Sequence, residues 1–503
     1  MYDGSYEKAC EYISKLRLNR REFIKTSVKM ASLAAVTAAQ SACSVRRWTG
    51  GSAPRVAIVG GGVAGLHAAY ILSKGGVEAD IYESSSRIGG RMYSATGLMG
   101  NGLVTELGGE FIDSTHTDIL NLVNEFGLDL MDTEGESERG LIDSLYFNGS
   151  RYTEAQIIDE FMPIASKIAQ DYESAGEIVN YKNEGGVKDL DNLSLEEYLD
   201  RIGASGAARK LIEIAYLTEY GLDIGEQSAL NLIFLISTDV SEGTLELYGD
   251  SDERFKVRGG NDLVVKGLYN AINQRAELDH RLEALAFDGR EYILNFSLKS
   301  GAAKMVRADY VIMTVPFSVL RSIRIDLDLP SVKQRAIQEL GYGTNAKLFA
   351  GFTKPKWREW GFKGDAYSDV GFQLCWDNSR MQGHKIAAMT LYSGGEEGIR
   401  VGEGTPESQV KRLLPGVNKV FPGIQDFYNG KTGRFHWPTH PHTLGSYSCY
   451  MPGQWTTIAG AEGESVGRLL FAGEHCSYEF QGFMNGAAET GREAAEKILR
   501  AGT

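Results

Sequence analysis

The chain is poor in cysteine. It has five in 503 residues: Cys10 and Cys43 in the first fifty, and Cys375, Cys449 and Cys476 far downstream. That distribution fits neither a disulfide framework nor a metal-ligand spacing. Long apolar runs are missing as well, since no stretch of 18 or more apolar residues occurs, which argues against a membrane-spanning helix. Basic runs are short, and 52 Lys and Arg against 66 Asp and Glu leave a net charge of −14. Such an acidic chain is a poor electrostatic match for nucleic acid. Glycine, by contrast, is abundant at 60 residues. It follows no collagen period, so it belongs in turns and at close backbone approaches to a ligand. The balance of 43% hydrophobic and 23% charged residues reads as globular, and the length suits roughly three domains' worth of core without covalent staples.

The first fifty residues look like an address. Asn19-Arg20-Arg21-Glu22-Phe23-Ile24-Lys25 resembles the twin-arginine export motif, and a small-residue run and Ser41-Ala42-Cys43 follow it. Asn19 replaces the usual Ser or Thr, Lys29 interrupts the apolar stretch, and Gln40 stands where a lipoprotein box has an aliphatic residue. The expectation is export to the periplasm or beyond, with Cys43 a candidate lipid anchor. A basic amphipathic helix is the alternative.

The fold begins after a Gly-Gly-Ser-Ala-Pro linker. Val56-Ala57-Ile58-Val59 reads as a buried parallel strand and leads into Gly60-Gly61-Gly62-Val63-Ala64-Gly65 and a helical apolar pattern. In this GxGxxG, Gly60 permits the tight turn, Gly62 the close approach of a pyrophosphate, and Gly65 close helix–strand packing; the helix start attracts phosphate charge. Glu83 ends the next strand, 18 residues after Gly65, where a carboxylate suits ribose hydroxyls. Ser84, Arg87, Gly90 and Arg91 follow. Their glycines and positive charge resemble the second dinucleotide signature of flavoproteins and favour FAD over NAD. Residues 113–253 read as largely helical, with Ser194-Leu195-Glu196-Glu197 as a capping box.

Further segments, in order, resemble the flavin-containing amine oxidases. Glu106-Leu107-Gly108-Gly109-Glu110-Phe111-Ile112 is similar to the family's turn beside the isoalloxazine ring. Arg281-Leu282 and Thr314-Val315-Pro316 are similar to segments near the adenosine half. Trp437 and Leu444-Gly445-Ser446-Tyr447 resemble the residues that bound the ring. Phe471-Ala472-Gly473-Glu474-His475 and Gln481-Gly482-Phe483-Met484-Asn485-Gly486-Ala487 resemble the C-terminal signature. The resemblance spans about 55–500. It implies an α/β fold with a discontinuous doubly wound, Rossmann-like FAD domain (53–112, 254–320 and 436–503), a helical insertion (113–253), a mixed-sheet substrate domain (321–435), and a leader and linker (1–52). It also implies FAD contacts from Ala64, Gly108, Gly109, Glu110, Leu282, Val315, Trp437, Gly445, Gly473, Glu474, Phe483 and Met484.

The same resemblance assigns chemistry. Lys347 aligns with the lysine that holds a water at flavin N5 and favours reaction with O2. Tyr447 and Phe483 align with the aromatic pair that sandwiches the substrate amine. Ser446 stands where a tethering cysteine occurs in animal monoamine oxidases, so FAD is expected to be non-covalent. His436, His440 and His442, separated by prolines, read as a polar loop and not as a metal site. The sequence looks most like bacterial L-amino acid oxidases, which makes oxidative deamination of an L-amino acid the first expectation. A monoamine or polyamine oxidase is the alternative, and a carotenoid-desaturase-like flavoprotein a more distant one. Phe111 occupies the position of the carboxylate-binding arginine of snake-venom-type enzymes, so Arg258 is the candidate cation for an amino acid, while Asp113 and Trp437 are further candidate substrate contacts. The expected partners are a small amine or amino acid and O2; a homodimer is open.

Overall fold

The structure is a computed structural model that describes residues 45–176 and 178–502. The export motif and Cys43 lie outside the described residues.

Val56–Val59 is buried along its whole length, as a strand covered on both faces requires. It is the centre of a five-stranded, wholly parallel sheet. The order is Leu469–Phe471, Tyr310–Met313, Val56–Val59, Ala79–Tyr82, Ala276–Glu277. The register pairs Val59 with both Tyr82 and Met313, so Gly60, Glu83 and Thr314 emerge together at the carboxyl edge, where open parallel sheets bind ligands. Helix Val63–Lys74 follows the glycine turn and packs against the C-terminal helix Met484–Ala501. The two helices meet closely because Gly491 has no side chain: a Cβ there would lie 2.2 Å from the Ala64 carbonyl oxygen.

A four-stranded sheet, Ala303–Ala308, Tyr292–Leu298, His280–Phe287 and Arg324–Asp326, flanks this core. A larger mixed sheet of seven strands runs in the order Tyr428–His436, Ala346–Phe352, Ala387–Ser393, Leu374–Asp377, Phe362–Ser368, Ile142–Phe147, Ser150–Tyr152. Ala346–Phe352 is buried throughout and carries Lys347.

Between 113 and 253 the helical expectation holds for Glu154–Ala175, Leu195–Ile202, Gly206–Tyr220 and Ala229–Leu235. The Ser194–Glu197 capping box forms with both of its bonds. The same stretch also gives two strands to the seven-stranded sheet. They are joined at Asn148-Gly149, whose φ angles of +53° and +75° are those of a tight two-residue hairpin. The Asn-Gly pair itself was the signal for that hairpin, and the 3.6-residue periodicity farther along hid it. Among the described residues no helix is long and apolar enough to cross a membrane.

Candidate active site

One cavity of about 410 Å³ runs from the carboxyl edge of the parallel sheet to the seven-stranded sheet and the helical block. Its first end is built by backbone. Gly60 adopts φ +112°, and a side chain there would strike the Thr314 hydroxyl at 2.3 Å. Gly89 N donates to the Gly61 carbonyl (2.8 Å), which lays the second glycine pair on the first. The Glu83 carboxylate accepts from Gly61 N (2.7 Å) and Ser85 N (2.8 Å). Arg87 is held by the carbonyls of Ile88 and Gly90 and stacks on Tyr93 at 3.8 Å. Helix Val63–Lys74 begins with Gly62, with no capping side chain and no acid in its first turn. Its orphan N–H groups are therefore free for a phosphate. An elongated, glycine-walled trough with unsatisfied donors fits a dinucleotide.

Midway along the cavity stand Gly108, Gly109, Trp437 and Lys347. Trp437 Nε1 donates to the Leu107 carbonyl at 2.9 Å. A Cβ on Gly108 would lie 1.9 Å from the Arg91 carbonyl oxygen, so only glycine fits there. Arg91 donates to the Ser446 carbonyl (2.8 Å) and to Glu474 (2.7 Å), and Glu474 also accepts from Ser448 and Gly482. Lys347 is 4% exposed, which excludes a surface lysine. Its ammonium donates to the carbonyls of Glu106 (3.2 Å) and Gly108 (2.8 Å) and to Glu110 (2.7 Å). All three of its protons are thus engaged with protein, and a water would have to share one of them. Glu110 also accepts from Lys256 (2.6 Å) and Trp376 (2.9 Å). Burial alone would raise its pKa, yet the charges of Lys256 and Lys347 hold it at about 2.

The far end is acidic. Asp113, Asp143, Glu219, Glu253 and Asp365 line it together with Tyr367, Tyr392, Tyr447 and Phe483. Tyr447 and Tyr392 share a hydroxyl hydrogen bond of 2.9 Å, and Phe483 leans on His116 at 5.2 Å. Asp143 is paired with Lys363 and Asp365 with Arg380. Asp113 accepts from Glu253 N (3.0 Å), and His116 Nε2 lies 3.2 Å from its carboxylate. The side chains of Glu219 and Glu253 make no hydrogen bond or ion pair with any described residue. Burial raises Asp113 to about 6, with Asp252 adding to it; burial and the charge of Asp113 raise Glu219 to about 7; burial and the charges of Glu219 and Asp113 raise Glu253 well above the usual carboxylate range. Glu253 sits at φ +43°, a strained position for a side chain of its size.

The cavity therefore gathers Gly60, Gly62, Ala64, Glu83, Ser84, Arg87, Gly90, Arg91, Gly108, Gly109, Glu110, Phe111, Asp113, Val315, Lys347, Trp437, Tyr447, Gly473, Glu474, Phe483 and Met484. Four anticipated residues stand apart from it. Arg258 is exposed, donates to the Met381 carbonyl, and lines a separate cavity of about 260 Å³. Leu282 points into the core under the four-stranded sheet. Gly445 packs behind the wall, where a Cβ would lie 3.0 Å from Tyr342. Gly65 serves packing alone, since a Cβ would lie 2.1 Å from the Gly60 carbonyl oxygen. The loop histidines take separate partners: His436 meets Thr439 and Gly398, while His442 reaches Ser84 at 2.8 Å. Tyr392, Glu219 and Glu253 in the cavity wall, and Lys256 behind Glu110, are contributors that no local motif flags. His442, which reads from sequence as part of a polar loop, also lines the cavity.

Comparison with known proteins agrees with this geometry. The family model described as flavin containing amine oxidoreductase matches residues 63–499. Human amine oxidase [flavin-containing] B is 24% identical over 467 residues, covering 89% of this chain and 86% of the human protein. Among solved structures, cyclohexylamine oxidase from Brevibacterium oxydans superposes with a TM-score of 0.76 at 21% identity, over 90% of this chain and 99% of that one. Putrescine oxidase bound to putrescine gives 0.73 at 21% identity, over 89% and 99%. The match over almost the whole described chain, on a cavity built to hold a dinucleotide, makes this protein a member of the flavin-containing amine oxidoreductases, with FAD as its cofactor.

Proposed function

We propose that this enzyme oxidatively deaminates an amine that carries a second positive charge, a diamine or polyamine, with O2 as acceptor and hydrogen peroxide as product. The observation that carries this reading is the pair of unpartnered carboxylates, Glu219 and Glu253, beside Asp113 at the end of the cavity away from the glycine turn. Partly buried carboxylates crowded together without counter-ions are costly, and a distal ammonium relieves that cost. An L-amino acid, the first expectation from sequence, would bring a further negative group to the same place. The lysine there is already paired with Glu110, and Arg258, the cation proposed for a substrate carboxylate, is outside the cavity. The similarity to human amine oxidase B and to the two amine oxidase structures also favours amines.

FAD, when bound, supplies the two-electron acceptor for the amine's α-hydrogen. The chain's part is placement. Tyr447 and Phe483 offer aromatic faces to the reacting nitrogen and exclude water from it. The reacting amine must be neutral, because an ammonium has no lone pair, while the distal nitrogen stays charged against Glu219 and Glu253. Ser446 donates to Asn345 at 2.5 Å and cannot form a thioether, and Cys449 does not line the cavity, which supports the reading of non-covalent FAD.

The test is anaerobic mixing of the flavin-loaded protein with putrescine, spermidine, phenylethylamine and a set of L-amino acids, following the flavin absorbance. Diamines or polyamines should bleach it with the highest second-order rate constant. If L-amino acids or phenylethylamine react as fast, the dication reading fails. Admission of O2 should then restore the colour and release peroxide.

A further inference from the structure

Lys347 alone does not make its wall of the cavity positive. Its ammonium lies 2.7 Å from the Glu110 carboxylate, and the two charges cancel. The uncancelled charge comes from Lys256, a second buried lysine, 6% exposed, whose Nζ lies 2.6 Å from the other oxygen of the same carboxylate. Lys256 is on the strand Phe255–Val257, which pairs with Leu130–Asp132. Lys347 is on a strand of the seven-stranded sheet. Glu110 bridges them, steadied by Trp376. Lys256 lines the smaller cavity and not the main one, and its ion pair toward the main cavity is with Glu110; its ammonium also lies 5.6 Å from the ring centre of Phe111.

We propose that Lys256 is a positioning residue for the oxidative half-reaction: it neutralises Glu110 so that the charge of Lys347 is left over to stabilise negative charge arising at the cavity wall. The proposal rests on the reading above that the flavin ring lies against Gly108, Gly109 and Lys347 and that O2 is the acceptor. Two electrons and two protons pass to O2 in forming hydrogen peroxide, and the first electron makes an anion, superoxide. A net positive wall in a dry site favours that step. The other acid nearby, Glu106, is hydrogen-bonded to Ser94 (2.7 Å) and Asn261 N (2.9 Å), and burial raises its pKa to about 7. Measurement at pH 6 keeps it mostly protonated. The group then totals +1: two ammoniums and one carboxylate.

Charge arithmetic gives the test. K256M takes the total to zero, and K256M/E110Q restores +1 on Lys347 alone. The flavin of each variant is reduced with dithionite, so that no amine is needed, its midpoint potential is measured, and its reoxidation by O2 is followed. K256M should lower the midpoint potential and slow reoxidation about tenfold or more, while K256M/E110Q should return both to near the parent values. A role in folding alone predicts a double variant no better than the single one, and that result overturns the proposal, as does an unchanged potential in K256M. Should K256M fail to hold flavin, K256M/E110Q is read against the parent, and a persistent defect about tenfold or greater rejects the proposal. If the reduced parent does not react with O2 at all, the acceptor reading fails, while the potentials still decide the role of Lys256.

Discussion

Glu219 and Glu253 do opposite work with and without substrate. In the free protein their folded-state pKa values lie above the ordinary carboxylate range. The folded state then binds more protons than the unfolded one between about 4.5 and 7 for Glu219. Stability should therefore fall as pH rises through that window. A bound diamine supplies the missing counter-charge and should remove most of the fall. Thermal midpoints from pH 5 to 8, with and without a saturating diamine, check this; a parallel decline in both series would exclude the carboxylates as the diamine site. The same groups set the KM profile, because a dication binds the ionised forms, so KM for a diamine should drop as pH rises from about 5.5 to 8. E253Q should raise that KM about thirty-fold or more, the effect of removing one partner of a desolvated charge pair, and should leave KM for a monoamine nearly unchanged. An equal rise for both amines would assign Glu253 to architecture.

At the scale of elements, what could be read in advance depended on whether a feature was local in sequence. The glycine turn, Glu83 and the C-terminal signature are each built by a few neighbouring residues, and the structure brings them together at the edge of the parallel sheet. Lys347 was legible for the same reason, with Leu348 and Phe349 marking its strand as buried. The acidic end was not legible. Glu219 is near the end of helix Gly206–Tyr220 and Glu253 in the connection before Phe255–Val257, and each alone looks like a surface acid. Arg258 failed by the opposite route: a cation close in sequence to the site stands just past the end of the strand Phe255–Val257, where the chain turns at Gly259-Gly260, and its side chain is exposed. Packing between elements is likewise invisible to local pattern. The first and last helices touch through Gly491, so Gly491→Ala should cost about 1–3 kcal/mol. It should also weaken FAD binding, because the backbone it displaces at Ala64 begins the helix that faces the phosphates. Chemical denaturation and FAD titration of the variant check both effects. Parental FAD affinity in a destabilised variant would separate the packing from the site.

Across the whole molecule, the cavity is walled by segments that are far apart in the chain. The segments 60–64, 83–92, 108–113, 314–316, 437–448 and 473–487 each give residues to its wall. The strands of the parallel sheet come from five places between 56 and 471. A ligand that binds only the assembled form stabilises it by mass action, by about 2.7 kcal/mol at a free concentration one hundred times its Kd. FAD should therefore stabilise the parallel-sheet core as a unit rather than the glycine turn alone. In amide hydrogen exchange, its addition to the apoprotein should slow exchange together in Val56–Val59, Tyr310–Met313, Leu469–Phe471 and the helix Met484–Ala501, although most of these residues do not touch it. A diamine added afterwards should protect the ends of Gly206–Tyr220 and the stretch through Glu253, leaving the sheet little changed. Protection by FAD confined to residues 60–65 would mean that the sheet is already formed without the cofactor. The order of assembly would then run from fold to cofactor, and the folded apoprotein would be the species that waits for FAD.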